Sequence, residues 1–314
     1  MALKSIDDII LFLNDTKPEI NSSFVKGTIG LQETKTIKDK YDYIKRNYNK
    51  SDYDKVTLEW WEKFTQEKIP TADDVEIAIY TKKGKFDKKW IILFHDFKKS
   101  HVDSYFDALK FILLGYSVAL VDFRNHGESQ STPVTLGWLE IFDVISVIDY
   151  VSAVFEAEEI GLFGKGLGGF IVCRTIDVYG DQLIKQGLKW TIIESAPSSS
   201  NTIVFPLLHS VFSEKRFITY SYELQNLYMR KYNAQILNIQ AFTKSCKIPT
   251  MFLTVKNDSV INSHESQYLY NQKGNLNVDK NVLYTEGSHE FNWLDNWTKY
   301  WNQIIEWLQY LKLY

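Results

Sequence analysis

The sequence is poor in cysteine, proline and methionine, with two, six and three among 314 residues. Two cysteines cannot build a disulfide framework, which excludes the stapled mini-domain class. Cys173 stands in the apolar run FIVC and reads as a small buried hydrophobe. Charge of one sign is also missing. Lys and Arg number 36 against 39 Asp and Glu, a net charge of -3. No basic surplus is left to neutralise phosphates, so nucleic acid is not an expected partner. Long hydrophobic runs are absent as well, and no membrane span is expected. The opening stretch MALKSIDDIILFLND is interrupted by Asp7 and Asp8, and no small-residue cleavage pattern follows. A secretory signal is therefore not expected, and the reading is cytoplasmic. No repeat, no low-complexity segment and no metal-ligand cluster is visible, and no cofactor is implied.

What is present is apolar content of 45%, enough for a substantial core. Residues 1–73 are polar with scattered aromatics and read as a helical arm packed on the main domain. Within it, SIDDIILFLND predicts a short amphipathic helix capped by Ser5, and residues 53–66 a second.

From residue 74 to 314 the pattern changes. VEIAIYT alternates like a half-exposed strand. WIILFHD, YSVALVDF and EIGLFG are apolar runs of the kind expected of strands buried on both faces, and WTIIES, MFLTV and VLYT read as further strands. Between them SYFDALKFILLG, residues 135–155, LGGFIVCRTIDVYG and the closing residues 296–311 show helical spacing. Strands alternating with helices predict an α/β fold, a mostly parallel sheet covered on both faces. Residues 196–248 are too long for a simple crossover and read as a helical cap inserted over the sheet edge where ligands bind.

Sites in such sheets lie beyond the carboxyl ends of the strands. There the sequence places His95-Asp96-Phe97, then DFRNHGES at 122–129, GKGLGG at 164–169, NDSV at 257–260 and GSHE at 287–290. Strand-turn-helix elbow, then acid, then histidine, in this order, resembles the α/β-hydrolase superfamily, in its cap-bearing esterase and serine-peptidase-like branch. The resemblance spans residues 74–314 and implies that Asp258 orients His289, which serves as general base. It also implies that the backbone N–H groups of Phe97 and Leu167 form an oxyanion hole. His95 and His126 fall where the family braces its loops. The implied ligand is a small, partly apolar ester or acyl compound.

Two positions depart from that pattern. Gly166 stands at the nucleophile position and offers neither oxygen nor sulfur for an acyl-enzyme. Asp96 stands where His-Gly is usual, and a carboxylate pointing inward would oppose a developing oxyanion. Several readings follow. One is a binding or regulatory pseudoenzyme. Another is an active hydrolase whose serine was replaced by mutagenesis, to be tested by G166S. A third has His289 activating a water in the space of the missing side chain. A fourth comes from another class: Gly164, Gly166 and Gly169 match the dinucleotide fingerprint, with Asp181 as the distant acid, which would make the chain a nicotinamide-dependent oxidoreductase.

Overall fold

The computed structural model describes residues 3–16, 38, 41–42, 63–241, 243, 246–273, 277–290 and 292–314. They form an eight-stranded sheet in the order β1-β2-β4-β3-β5-β6-β7-β8. Its strands are β1 (Thr65–Pro70), β2 (Glu76–Lys82), β3 (Phe86–Phe94), β4 (Tyr116–Val121), β5 (Glu159–Lys165), β6 (Leu188–Glu194), β7 (Thr250–Val255) and β8 (Lys280–Tyr284). All pairs from β4 to β8 are parallel. The β1–β2 and β2–β4 pairs are antiparallel. Every residue of β4 and of β7 is buried, the consequence of sheet faces covered on both sides.

Successive side chains divide between two cores. Trp90, Ile92 and Phe94 join one, with α1 (Ile6–Asn14), α3 (Ile141–Val154) and α4 (Leu167–Lys185). Ile91 and Leu93 join the other, with α2 (His101–Leu113) and α9 (Trp297–Tyr310). Residues 196–248 carry α5 (Asn201–Val211) and α6 (Glu214–Tyr232), which pack on the first face through Val204, Leu207, Leu224 and Tyr228. α7 (Ser263–Gln272) follows β7, and α8 (Asn292–Asp295) precedes the closing helix. Among the described residues no helix is long and apolar enough to cross a membrane.

Three expectations change. The sheet takes in Thr65–Pro70, six residues assigned to the arm, as an edge strand. Its polar sequence TQEKIP carried no strand signal, and an edge strand with Glu67, Lys68 and Pro70 resists pairing with another chain. Thr65 and Gln66 also end the second expected arm helix, whose residues 53–62 lie outside the described residues. Helix α3 starts at Ile141 rather than near residue 135. Thr135 and Gly137 donate their N–H groups to the Glu140 carboxylate at 2.6 and 2.8 Å, closing a loop through the positive φ of Leu136 and Gly137.

The arm helix α1 is capped by Ser5 and buries Ile6, Ile9, Phe12 and Leu13. Asn14 fastens it to the body, accepting from Asn125 Nδ2 and from Val134 N, each at 2.8 Å. An ion network, buried at Arg124 and Asp143 and exposed at Asp73, fixes the start of β2. Arg124 donates to Asp73 at 2.6 and 2.8 Å and to Asp143 at 2.7 and 2.9 Å. Removing one partner of such a network strands the other charge. R124M is therefore expected to lower the unfolding free energy by about 3–5 kcal/mol in a denaturant titration.

Candidate active site

The loop after β3 carries Asp96 and Phe97, the β5–α4 turn carries Gly166 and Leu167, the loop after β7 carries Asp258, and the loop after β8 carries His289. The sheet brings all of them to one edge. Gly166 has φ 52° and ψ -121°, the strained conformation of a sharp strand-to-helix turn, which glycine accepts without penalty. Gly164 lets helix and strand close on each other, since a Cβ there would lie 2.6 Å from Gly169 Cα.

His95 and His126 hold the loop that presents Phe97. His95 Nε2 accepts from Phe123 N at 3.1 Å, and His126 Nε2 accepts from Lys98 N at 3.3 Å. Their Nδ1 atoms face the carbonyls of Asp96 and Arg124 at 2.7 and 3.0 Å, so each ring is neutral with its proton on Nδ1. Burial keeps them so, pushing His95 below its usual range and His126 down to about 3.

Asp258 and His289 come together, with Asp258 Oδ2 2.7 Å from His289 Nδ1. The other Asp258 oxygen accepts from Val260 N at 2.8 Å and Ile261 N at 2.9 Å. Phe97 N and Leu167 N converge on one point, and that point is filled. Both donate to Asp96 Oδ1, each at 2.7 Å. Asp96 Oδ2 lies 2.8 Å from His289 Nε2. The Asp96 carboxylate thus points inward and occupies the point where the two N–H groups converge. The lack of a side chain at 166 is what admits it: a Cβ on Gly166 would lie 1.9 Å from Asp96 Oδ1.

His289 is the bridge between two acceptors, which requires a proton on each ring nitrogen. Burial alone would lower its pKa. The bonds to Asp258 and Asp96 outweigh that and raise it from 6.5 to about 9. Both carboxylates are likewise held ionised. Burial would raise their pKa values, but the imidazolium and the backbone donors keep each below the ordinary range. The first turn of α4 adds its partial positive charge beneath Asp96. An imidazolium has no lone pair with which to take a proton from water, which removes the footing for a His289-activated water in this state.

Sequence reasoning missed the residues that hold the His289 loop. Lys165 Nζ donates to the Glu290 carbonyl at 2.8 Å and lies 3.4 Å from Asp107 and 3.8 Å from Glu194. Glu194 also accepts from Asn292 at 2.9 Å and Tyr300 at 2.8 Å. Ser288 donates to Asp295 through its backbone N–H and its hydroxyl, at 2.9 and 2.7 Å. A lysine inside the glycine-rich turn carried no signal of this role.

The dinucleotide reading finds its requirements unmet. Asp181 lies within α4, not at a strand end, and pairs on the surface with Lys247 at 3.3 Å. The N-terminus of α4, where a pyrophosphate would sit, already holds the Asp96 carboxylate.

No family model and no curated protein matches the sequence. Solved structures do match in fold. An esterase from Pyrococcus furiosus superposes with a TM-score of 0.59 at 17% identity, covering 81% of this chain and 93% of its own. A hydrolase from Agrobacterium vitis S4, itself described only as putative, gives 0.58 at 14% identity, covering 78% and 98%. The esterase RhEst1 from Rhodococcus sp. ECU1013 gives 0.57 at 14%, covering 78% and 99%. The chain has the α/β-hydrolase fold.

Proposed function

We propose that this protein is a serine-hydrolase-like binding or regulatory relative of the esterases, silent toward carboxylic esters. Its ligand in this reading is a small, partly apolar ester or acyl compound, and the body is residues 74–314 with the cap at 196–248. One observation carries the reading: the Asp96 carboxylate accepts from Phe97 N, Leu167 N and His289 at 2.7, 2.7 and 2.8 Å. The groups that would stabilise a tetrahedral intermediate and activate a nucleophile are committed to an internal anion. Gly166 supplies no nucleophile to compete for them.

The same contact bears on how Gly166 arose. A serine Cβ at 166 and the observed Asp96 rotamer exclude each other at 1.9 Å. Glycine at 166 and an inward Asp96 are complementary, which supports natural loss of the serine over replacement by mutagenesis. It also changes the expectation for G166S, because that serine enters a space already filled.

The reading is tested with p-nitrophenyl acetate and butyrate. The protein and its H289A variant are expected to match the protein-free rate, and a fluorophosphonate probe to leave the chain unlabelled. A rate above background that disappears in H289A would overturn the reading.

A further inference from the structure

We infer that two copies of this chain pair through the outer face of α6, antiparallel, about a two-fold axis at Asn226. The inference goes beyond the reading of the Asp96 site and does not depend on it.

Helix α6 has two faces. Each residue turns an α-helix by about 100°. Leu224 and Tyr228 therefore share one side, and both are fully buried against the body. Asn226 points the opposite way. Around it lie Thr219, Tyr222, Glu223, Met229 and Arg230, all exposed, and the six residues line one surface groove. The outer side of a surface helix is expected to be polar. Here it presents Tyr222, 68% exposed, and Met229, 42% exposed. Apolar side chains exposed singly are ordinary, but these two are aligned along one stripe. Positions 219, 222, 226 and 229 also repeat at intervals of three and four, the spacing of a seam between helices.

The stripe is complementary to itself, and this selects a second copy as its occupant. Viewed down the helix from Asn226, Glu223 and Arg230 lie on one flank, at about 60° and 40°. Tyr222 and Met229 lie on the other flank, at about 40° and 60°. Tyr222 and Glu223 precede Asn226 along the axis by about 6 and 4.5 Å, and Arg230 and Met229 follow it by the same distances. A two-fold axis through Asn226, perpendicular to the helix, reverses the direction of the partner and keeps like flanks together. It sets Glu223 beside the partner's Arg230 at nearly the same height. On the other flank it sets Tyr222 against the partner's Met229, a favourable pairing of ring and sulfur. Symmetry makes each contact twice. A parallel pair would instead set Glu223 against the partner's Tyr222 and leave both charges unpaired.

Asn226 sits on the axis. A carboxamide both donates and accepts, so two of them facing each other pair, and a polar residue at such a seam position fixes the register. The 19 residues of α6 span about 28 Å. One helix per subunit makes an interface at the small end of the specific range, so the association is reversible and micromolar. Its ion pairs lie at the rim, and salt weakens it.

The test is sedimentation velocity of the whole protein from about 2 to 200 µM, a range that brackets micromolar association. A monomer that becomes a dimer across this range is expected. E223R and R230E should each weaken the dimer at least about 10-fold, because each sets like charges together. The double variant E223R/R230E restores opposite charges across the axis and should regain the parent's association. All these positions are on the surface, and matching circular dichroism shows that the variants are folded. N226C supplies an independent reading. With helix axes about 9 Å apart and Cα atoms about 2.3 Å from each axis, the two 226 positions face each other at about 4–5 Å, within disulfide reach. Cys173 and Cys246 are buried, so mild oxidation should link N226C chains in pairs. Y268C, exposed on α7, should stay unlinked. A chain that stays monomeric at about 200 µM leaves the groove to some other occupant and overturns the inference. So does a dimer that the double variant fails to restore, or one in which N226C links no faster than Y268C.

Discussion

The double variant D96G/G166S is expected to hydrolyse short p-nitrophenyl esters at least about 10²-fold faster than either single variant. The argument is steric first. In G166S alone the new Cβ meets Asp96 Oδ1 at 1.9 Å, so the carboxylate must leave or the elbow must distort. In D96G alone the hole is emptied but nothing attacks. In the double variant the serine takes the space that the carboxylate vacates, next to His289 Nε2, and Phe97 N and Leu167 N are released to a substrate oxygen. Electrostatics follow. With one of its two carboxylates gone, His289 falls from about 9 toward its ordinary range and regains a lone pair at neutral pH. Nucleophile, base and hole are then restored by two substitutions, and the orienting contact from Asp258 at 2.7 Å is untouched. Adding H289A should abolish the gain. Equal rates for the double variant and both singles would show that the contact between Asp96 and position 166 is not what silences the site.

Some parts of the site are encoded locally in the sequence and others are not. The parallel strands were legible because WIILF, YSVALV and MFLTV are continuous apolar runs, and a buried strand needs no more than that. The order of elbow, acid and histidine was legible because each sits just past such a run. Strand β1 was not, since TQEKIP exposes most of its residues and pairs only at the sheet edge, where a strand needs no hydrophobic face. The late start of α3 was hidden too. It depends on Glu140 reaching back to Thr135 and Gly137, a side-chain bond that competes with the helix and leaves the apolar periodicity unchanged. Most consequential was the direction of Asp96. Sequence placed a carboxylate after β3, but two other places in the chain (the Gly166-Leu167 turn and His289) decide that it turns inward. Lys165 illustrates the same limit, because its partners Asp107, Glu194 and Glu290 are distant in sequence.

The site should also leave a signature in the pH dependence of stability. The imidazole of His289 is expected to titrate near pH 9 by nitrogen-detected NMR, and in D96N to titrate lower, because one of the two carboxylates that raise it is gone. The rise from 6.5 to about 9 on a residue that is 8% exposed corresponds to about 3 kcal/mol of folding stability. Because this pKa is raised on folding, the contribution is complete below pH 6.5, declines as the pH climbs, and is gone above about 9. Asp96 and Asp258 act in the opposite sense. Their pKa values are lowered on folding, so their contribution is complete above about pH 4 and is lost as the pH falls further. Full stabilisation by the three charges therefore spans about pH 4 to 6.5. His95 and His126, kept neutral by burial, pull the whole-protein curve the other way below pH 6.5, so the parent alone does not isolate the effect. The difference between the parent and H289Q in urea titrations does. It should be largest near pH 6 and shrink steadily toward pH 9. A difference that stays flat from pH 6 to 9 would mean that His289 is neutral in the folded protein and that Asp96 does not hold it as a cation.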